Sequence, residues 1–459
     1  MRNDSRRSLS TIFVWLCLGA IFIALCAVIV FTRVSSAERD ASLARFRAMA
    51  APQLQRELPP THAAAATSEA VDEVTPSAEP APDVKRHWET LQAWAQRAEE
   101  DEAWQEFWTR SAFEMPEEDW RKLERHLDKH QELLHAIHVL VDTGTPGYIL
   151  RYERGLPMQL EHLKWFRTFA RLLREQARLS AHQGDAEAAL ELVLEIWALG
   201  DCLREEPVRM SQHMRIGIHD IAAFALTEVA GLRELTAVQT QQVLAVLEDL
   251  EYKSGFRRAL ITDAETTLQL FEDYASGKMK DEPIAWEFSA PVAFIEYLYK
   301  IPAGRSLVYR DEAAYLRIME RVISLSVLPW YETRPQLEEI ETQLARSRFL
   351  RLLRPLFAGS MPRTLQRPAC AEALRDVTMA GMLVEQYFKD HGVYPMTLDD
   401  IGPHPHGGEW LDPLTGTPYH YEATPPTFCL YSVGQNLTDD GGLPDLGDGD
   451  IVWRPAPAR

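Results

Sequence analysis

Helical periodicity over a long central region constrains the fold of this chain more than any other feature. From residue 85 to 358, apolar residues recur at helical spacing almost throughout. The clearest portion is residues 159–206, where two apolar faces flank a break at Gly184-Asp185. A Gly-Asp turn with Ala188 close behind is typical of the helical hairpin found in tetratricopeptide repeats. The region is therefore predicted to be mostly α-helical.

A second hairpin is predicted from residues 215–230 and 236–250, where Thr236 and Gln239 have the spacing of a capping box. A true repeat array needs about three matching units, and only one matches well. The prediction is therefore a TPR-like body of hairpins stacked in order, without strict repeats. Residues 116–141 are predicted as one further helix of this body.

The closing segment has a different character. Pro, Gly and Asp occur too densely after Gly392 for long helices, which predicts short strands joined by tight turns. The aromatic stretches 419–421 and 428–432 favour two neighbouring strands. Before them, Pro368 suits the first position of a helix that runs to about Lys389, and Gly392 suits its left-handed cap.

The order of motifs in this tail resembles the C-terminal region of type II secretion major pseudopilins. The motifs are a helix, Gly-x-Tyr-Pro at 392–395, Asp-Pro-x-x-Gly-x-Pro-Tyr-x-Tyr at 412–421, Leu-Tyr-Ser-x-Gly at 430–434, an Asp/Gly loop and Asp-Ile-x-Trp at 450–453. The resemblance implies a small α+β domain in which a helix packs on an antiparallel sheet. It also implies a calcium ion that holds the last loop.

Calcium prefers six to eight oxygen ligands. The loop supplies candidate ligands at six positions: Asn436, Asp439, Asp440, Asp445, Asp448 and Asp450. The alternative is a solvated acidic turn without a metal. Calcium is the one cofactor that the sequence suggests.

The whole chain also resembles a group of membrane-anchored envelope proteins of planctomycete and verrucomicrobial type. The residues that carry this resemblance are the Gly184-Asp185 turn, the Leu-Arg-Glu-Glu-Pro stretch at 203–207 and the pseudopilin-like tail. This second resemblance implies an architecture and no activity.

An uncharged apolar run, residues 11–32, is long enough to cross a ~30 Å hydrocarbon core as a helix. It is too long for the core of a signal peptide, which favours an uncleaved anchor. Arginines lie on both sides, so charge does not orient it. The pseudopilin-like tail implies an extracytoplasmic, periplasmic body on the inner (cytoplasmic) membrane. The run lacks the leader Gly and the Glu of pseudopilins, so a filament built through it is not expected.

The predicted organisation has five parts. They are an N-terminal tail (1–10), a single-pass transmembrane helix (11–32), a juxtamembrane and disordered Ala/Pro-rich linker (33–84), a helical-hairpin domain (85–358) and a pseudopilin-like domain (359–459). A net charge of −20 argues against a nucleic-acid partner, which would need a basic surface. Five scattered cysteines without a CxxC argue against a disulfide framework and a structural zinc site.

Histidines supply the other candidates for chemistry. His126 and His130 share a helix face at i, i+4 and could bind a metal, although a solvated surface is favoured because Glu and Lys surround them. His404 and His406, with Glu409 and Asp412, form a similar set in which an ordinary loop is favoured. Tryptophans 88 to 120 could form a binding face, but at helical spacing they favour a core.

No catalytic signature is present, since HExxH, GxSxG and P-loop patterns are absent from the sequence. The first hypothesis is a non-enzymatic, membrane-anchored envelope scaffold that holds protein partners. The second is an accessory component of a type II secretion or pilus-like system. The third is an envelope enzyme whose site forms only in the fold.

Overall fold

The computed structural model describes residues 27–50, 82–99, 112–144, 160–276, 302–346, 361–443 and 449–453. These residues are mostly helical and include one small three-stranded sheet. They divide into two compact units. The first contains the described residues 27–50, 264–276, 302–323 and 337–346, and the second contains the rest of the described residues.

The helices and strands have the following bounds. The helices are α1 (Pro82–Glu99), α2 (Glu117–Asp128), α3 (Gln131–Thr143), α4 (Glu161–Gln183), α5 (Ala186–Asp201), α6 (Arg209–Leu232), α7 (Ala237–Asp249), α8 (Lys253–Ser276), α9 (Pro302–Leu325), α10 (Trp330–Arg346) and α11 (Met361–His391). The strands are β1 (His420–Thr424), β2 (Thr427–Ser432) and β3 (Ile451–Trp453). Short 3-10 turns lie at Ala112–Glu114 and Leu398–Ile401.

The predicted transmembrane helix lies mostly outside the described residues, which begin at residue 27. Residues 27–50 are helical, so the helix continues past residue 32, where the transmembrane segment is predicted to end. No helix in the described part of the chain is both long and apolar enough to cross a membrane. Of the predicted juxtamembrane and disordered linker (33–84), residues 51–81 lie outside the described residues, whereas residues 33–50 and 82–84 are helical.

In the first unit, the 27–50 helix is bound to α9 by polar side chains. Arg39 donates to both carboxylate oxygens of Glu312, at 2.8 and 2.9 Å, and the guanidinium lies over the ring of Tyr309. The hydroxyls of Thr32 and Ser306 are 2.7 Å apart. These contacts fix one face of the 27–50 helix against α9.

In the second unit, α4, α5 and α6 pack on one another, and each of the three helices contacts the other two extensively. The predicted Gly-Asp turn is confirmed, because Gly184 has φ +99° and the Asp185 carboxylate accepts the N–H of Ala188. The capping box of Thr236 and Gln239 at the start of α7 is also confirmed. The aromatic face of α1 belongs to the core, since the buried Trp88 packs on α4.

The predicted single helix over residues 116–141 is wrong, because the structure contains two helices that meet at Lys129-His130. The last turn of α2 tightens, with the N–H of Lys129 bonded to the carbonyl of His126 and that of His130 bonded to Leu127. Bonds between residues three apart end a helix without Gly or Pro. The sequence therefore carries no signal for this break.

The Leu203–Pro207 stretch forms the connection between α5 and α6. Its backbone is held by Gln212, whose amide nitrogen lies 2.7 to 3.2 Å from the carbonyl oxygens of Leu203, Arg204 and Glu206. A buried carbonyl without a donor is costly, so one side chain stabilises the whole turn. The role of this stretch is thus structural.

The tail is built around α11. Its predicted start at Pro368 is wrong, since the helix begins at Met361 and contains the proline. Met361 and Leu365 are buried, which favours the extra turns although a proline removes one backbone donor. The C-terminal cap at Gly392 is confirmed by its φ of +72° and its bond to the carbonyl of Phe388.

The sheet has the order β1-β2-β3 with antiparallel neighbours, and Leu430 of β2 pairs with Trp453 of β3. The ring of Trp453 lies against Gly381 in the middle of α11, and its N–H donates to Glu385 at 3.1 Å. A Cβ at Gly381 would overlap the ring. The glycine is required because it lets the sheet approach the helix axis.

Replacing Gly381 by Ala is predicted to destabilise the full-length chain by about 2 kcal/mol, because the new methyl group must displace a buried indole. Gly217→Ala is the matched control. Gly217 also lies inside a helix, but nothing occupies the space around its missing Cβ. The control should stabilise the chain by about 0.5–1 kcal/mol through helix propensity alone. Urea unfolding followed by circular dichroism measures both changes, and equal effects would contradict the packing argument.

Candidate functional site

The described part of the predicted calcium loop is closed by its own hydrogen bonds. Asp450 is buried, and its carboxylate accepts the N–H groups of Asp440 and Gly442, the latter at 2.7 Å. The Asn436 amide donates to Asp440 at 2.9 Å. Positive φ at Gly441 and Gly442 turns the backbone amides toward the carboxylate. The loop thus forms a small anion-binding turn around one of its own acids.

Asp439, the next candidate ligand, is also engaged. Its carboxylate accepts the N–H of Gly441 at 2.9 Å and the hydroxyl of Tyr431 at 3.0 Å, and these bonds lower the pKa of Asp439. Burial and the Asp439 carboxylate raise the pKa of Tyr431 to about 12. The tyrosine is therefore the donor at neutral pH.

The donor chemistry of the loop suits calcium, but its described oxygens are directed to amides. Asp445 and Asp448 lie outside the described residues. Within the described ranges, no three His, Cys, Asp or Glu side chains converge as metal ligands. Calcium binding at these six positions stays a prediction.

A second polar constellation, which we call the Asp376 cluster, consists of Arg375, Asp376, His404 and Tyr419. All four side chains are buried. Arg375 contacts Asp376 Oδ1 at 2.8 Å, and the hydroxyl of Tyr419 donates to Oδ2 at 3.0 Å. The cluster joins α11 to the loop before the sheet and to the residue preceding β1.

The geometry of His404 fixes its tautomer. The backbone N–H of His406 donates to Nδ1 of His404 at 3.1 Å, so the neutral ring carries its proton on Nε2. Nε2 lies 3.2 Å from Asp376 Oδ1, a close electrostatic contact that is not an aligned hydrogen bond. The predicted set of His404, His406, Glu409 and Asp412 is therefore divided. Only His404 faces Asp376, whereas Asp412 caps its own turn by accepting the N–H of Leu414.

A third constellation, the Asp201 cluster, consists of Asp201, Arg215, His219 and Tyr252. Arg215 donates to the Asp201 carboxylate at 2.8 Å. His219 donates from Nε2 to the carbonyl of Trp197 at 3.2 Å, so its Nδ1 accepts the hydroxyl of Tyr252 at 3.1 Å. The imidazole is therefore held between α5 and the connector before α8 as a neutral ring.

The two clusters meet at the connector between α7 and α8, residues Leu250 to Tyr252. Arg375 donates to the carbonyl of Leu250 at 2.8 Å, and Arg215 donates to the carbonyl of Glu251 at 2.8 Å. One arginine belongs to the tail helix and the other to the helical body. Adjacent carbonyls of one connector thus receive a donor from each part.

Additional charged contacts bind α11 to the body. Lys253 lies 2.9 Å from Glu372, and Arg367 pairs with Asp220. Near the end of the helix, Lys389 donates to the carbonyl of Leu235 at 2.9 Å. The helix is bound along most of its length on one side, while the sheet covers the other.

Burial moves the pKa values of both clusters away from neutrality. Desolvation lowers the pKa of His219 to about 3 and raises the pKa of Tyr252 and of Tyr419. Desolvation would also raise the pKa of Asp376, but Arg375 and His404 outweigh it, and the net shift is downward. General acid–base catalysis at neutral pH favours groups that titrate near 7. The chemistry of these clusters is that of fixed hydrogen bonding.

The predicted solvated surface for His126 and His130 is partly wrong. The two rings are close, with centroids 4.7 Å apart, but His126 is buried. It lies on the face of α2 that also buries Trp120 and Leu123, and the charged neighbours that suggested solvent occupy the opposite face.

Sequence reasoning missed both buried clusters. Asp376 binds Tyr419 across 43 residues, and Arg375 binds Leu250 across 125. The one available signal was the pair Arg375-Asp376 inside an otherwise apolar helix stripe, because charges at a core position require partners.

Comparisons with protein families, with curated proteins and with solved structures found no match for this chain.

The contribution of His219 to stability is predicted to fall as pH drops from about 6.5 toward 3. The unfolded chain protonates His219 near its ordinary pKa of about 6.5, whereas the folded chain does so only near 3. Below about 6.5 the unfolded state therefore binds more protons. Replacing His219 by Gln should flatten this slope, and His391→Gln, at an exposed position, should keep it. Urea midpoints between pH 4 and 7 measure the effect, and identical slopes would contradict it.

If the loop binds calcium, adding the ion should raise the melting temperature of the full-length chain, because only the folded loop offers the ligands together. Asp448→Asn should weaken this effect about tenfold in calcium concentration, since one anionic ligand is lost. Asp399→Asn, outside the loop, is the control. Calorimetry measures the melting temperature of both variants with and without calcium. A wild-type melting temperature that does not change when calcium is added would rule the metal out.

Proposed function

We propose that this chain is a non-enzymatic, membrane-anchored envelope scaffold in which the helical hairpins and the tail together offer one protein-binding surface. The observation that carries the proposal is the double attachment at the α7–α8 connector. Arg215 of the body and Arg375 of the tail bind neighbouring carbonyls there. A tail fixed in this way keeps a constant position relative to α6 and α7, and a constant position lets two elements bind one partner together.

The state of the titratable groups in the two buried clusters supports a non-enzymatic role. In the described residues, the Asp376 and Asp201 clusters direct their polar atoms to carbonyls, to ring nitrogens and to one another. Their shifted pKa values do not suit proton transfer near pH 7. An enzyme would need a reactive group that reaches a substrate, and these groups are buried.

The anchor and the location remain part of the proposal on sequence grounds. The uncharged run at 11–32 would hold the protein in the inner membrane as a single pass. The Ala/Pro-rich spacer would then separate the body from the bilayer on the extracytoplasmic side.

A second candidate is an accessory role in a type II secretion or pilus-like system. The favouring observation is that α11 packs on a three-stranded antiparallel sheet, the architecture that the pseudopilin resemblance implies. However, α11 is buried on most sides between Met361 and Val384. A filament that used this helix as its spine would have to remove it from the body, so a lateral contact through the sheet fits better.

Affinity purification of the full-length protein from cross-linked envelopes tests the scaffold. The wild-type chain should retrieve specific envelope proteins. Arg375→Leu should lose them, because a buried Asp376 without its cation costs about 3–5 kcal/mol and releases the tail. Arg363→Leu, at an exposed position of the same helix, should keep them.

Circular dichroism verifies that each variant is folded. Retrieval of secretin or secretion ATPase subunits would favour the second candidate. Recovery of nothing above background, or equal recovery by Arg375→Leu, would contradict the proposed single surface.

A further inference from the structure

The pair of helices α2 and α3 is bound to the body by two histidine–carboxylate contacts, one on each helix. His182 at the end of α4 lies 3.3 Å from Glu117 at the start of α2. His138 of α3 contacts Glu195 of α5. Helix α2 packs on α4, and α3 packs on α1, α4 and α5. Each contact therefore joins one helix of the pair to the α4–α5 hairpin.

The contact of His138 has the form of an ion pair. Its Nδ1 lies 2.5 and 2.6 Å from the two carboxylate oxygens of Glu195. Two acceptors this close require a proton on Nδ1. A charged imidazolium makes a hydrogen bond to a carboxylate about twice as strong as a neutral ring does. Asp142, one turn further along α3, adds a second negative charge near the ring.

The contact of His182 includes an aromatic surface. Its ring stacks on Trp120 with centroids 4.3 Å apart and an angle of 6° between the planes. Arg233, just after the end of α6, donates to the carbonyl of His182 at 2.9 Å, so a positive guanidinium also faces this region. Beside it, Gln183 donates to Glu124 of α2 at 2.9 Å.

We infer that the α2–α3 pair is a pH-responsive element, which the His138–Glu195 contact holds more strongly when the imidazole is protonated than when it is neutral. The physical reason is that this contact gains a full charge when the His138 ring is protonated. Loosening exposes the apolar face of α2, including Leu123 and Leu127, which are buried in the closed arrangement. This inference is independent of the proposed function.

The direction of the titration agrees with this geometry. The hydrogen bond to Glu195 raises the pKa of His138, although partial burial opposes it. A raised folded pKa places the stabilisation fully below about 6.5, and it is lost as pH rises through the folded value.

Two other sets of histidines face the same helices or their neighbours. His126 on α2 and His130 in the turn after it are adjacent, and protonating both would produce repulsion between them. On α1, His87 lies 3.2 Å from the carbonyl of Ala136 in α3. On another side of α5, burial lowers the pKa of His219, so acid destabilises the fold there.

Hydrogen exchange of the full-length chain at pH 6 and pH 8, corrected for intrinsic exchange rates, tests the inference. Between pH 6 and pH 8, protection of the α3 amides should fall about fivefold more than protection of the α5 amides, because His138 loses its charge. The effect is this modest because the contact with Glu195 is partly exposed and screened. His138→Gln should abolish this excess loss. His135→Gln, an exposed position on the same helix, should retain it.

Glu195→Gln gives an independent variant, since it removes the charge while keeping the shape of the side chain, and it should also abolish the pH effect. An excess loss that persists in both the His138→Gln and Glu195→Gln proteins would overturn the inference. So would its disappearance in His135→Gln, or equal protection of the wild-type α3 amides at both pH values.

Discussion

The second compact unit depends on the connector between α7 and α8. Two arginines that are far apart in the chain, Arg215 and Arg375, bind its adjacent carbonyls at Leu250 and Glu251. Each guanidinium also contacts a carboxylate beside it, so the connector is the point where two charged networks touch. Removing either arginine would take a cation from a buried carboxylate network and a donor from a carbonyl, and the loss would affect the body and the tail together.

Charged side chains at this junction fix the position of α11, which apolar side chains would not do. A buried ion pair often contributes little net stability compared with a well-packed apolar substitute, because desolvation offsets the attraction. Its hydrogen bonds, however, have fixed directions. Lys253 opposite Glu372 and Arg367 opposite Asp220 can meet in one register of α11 only. The tail helix could slide on a purely apolar surface, but these contacts give it one position.

Local signals in the sequence predicted local structure well. The Gly184-Asp185 turn, the Thr236 capping box, the Gly392 cap and the pairing of β1 with β2 all depend on residues close in the chain. The break at Lys129-His130 was missed because tightened backbone bonds, without a special residue, produce it. The burial of His126 and the partners of Asp376 could not be predicted, since they depend on which helices become neighbours. The calcium ligands, chosen by composition, stay a prediction.

The position of Trp453 against Gly381 also has a consequence for biosynthesis. The indole that completes the outer side of α11 is made 72 residues after the glycine that receives it, the difference between positions 453 and 381. During translation, α11 can already settle on the body while its other flank still faces water or a chaperone. The tail can therefore finish folding only after the last strand is made. A chain truncated before that point would have one side of α11 uncovered.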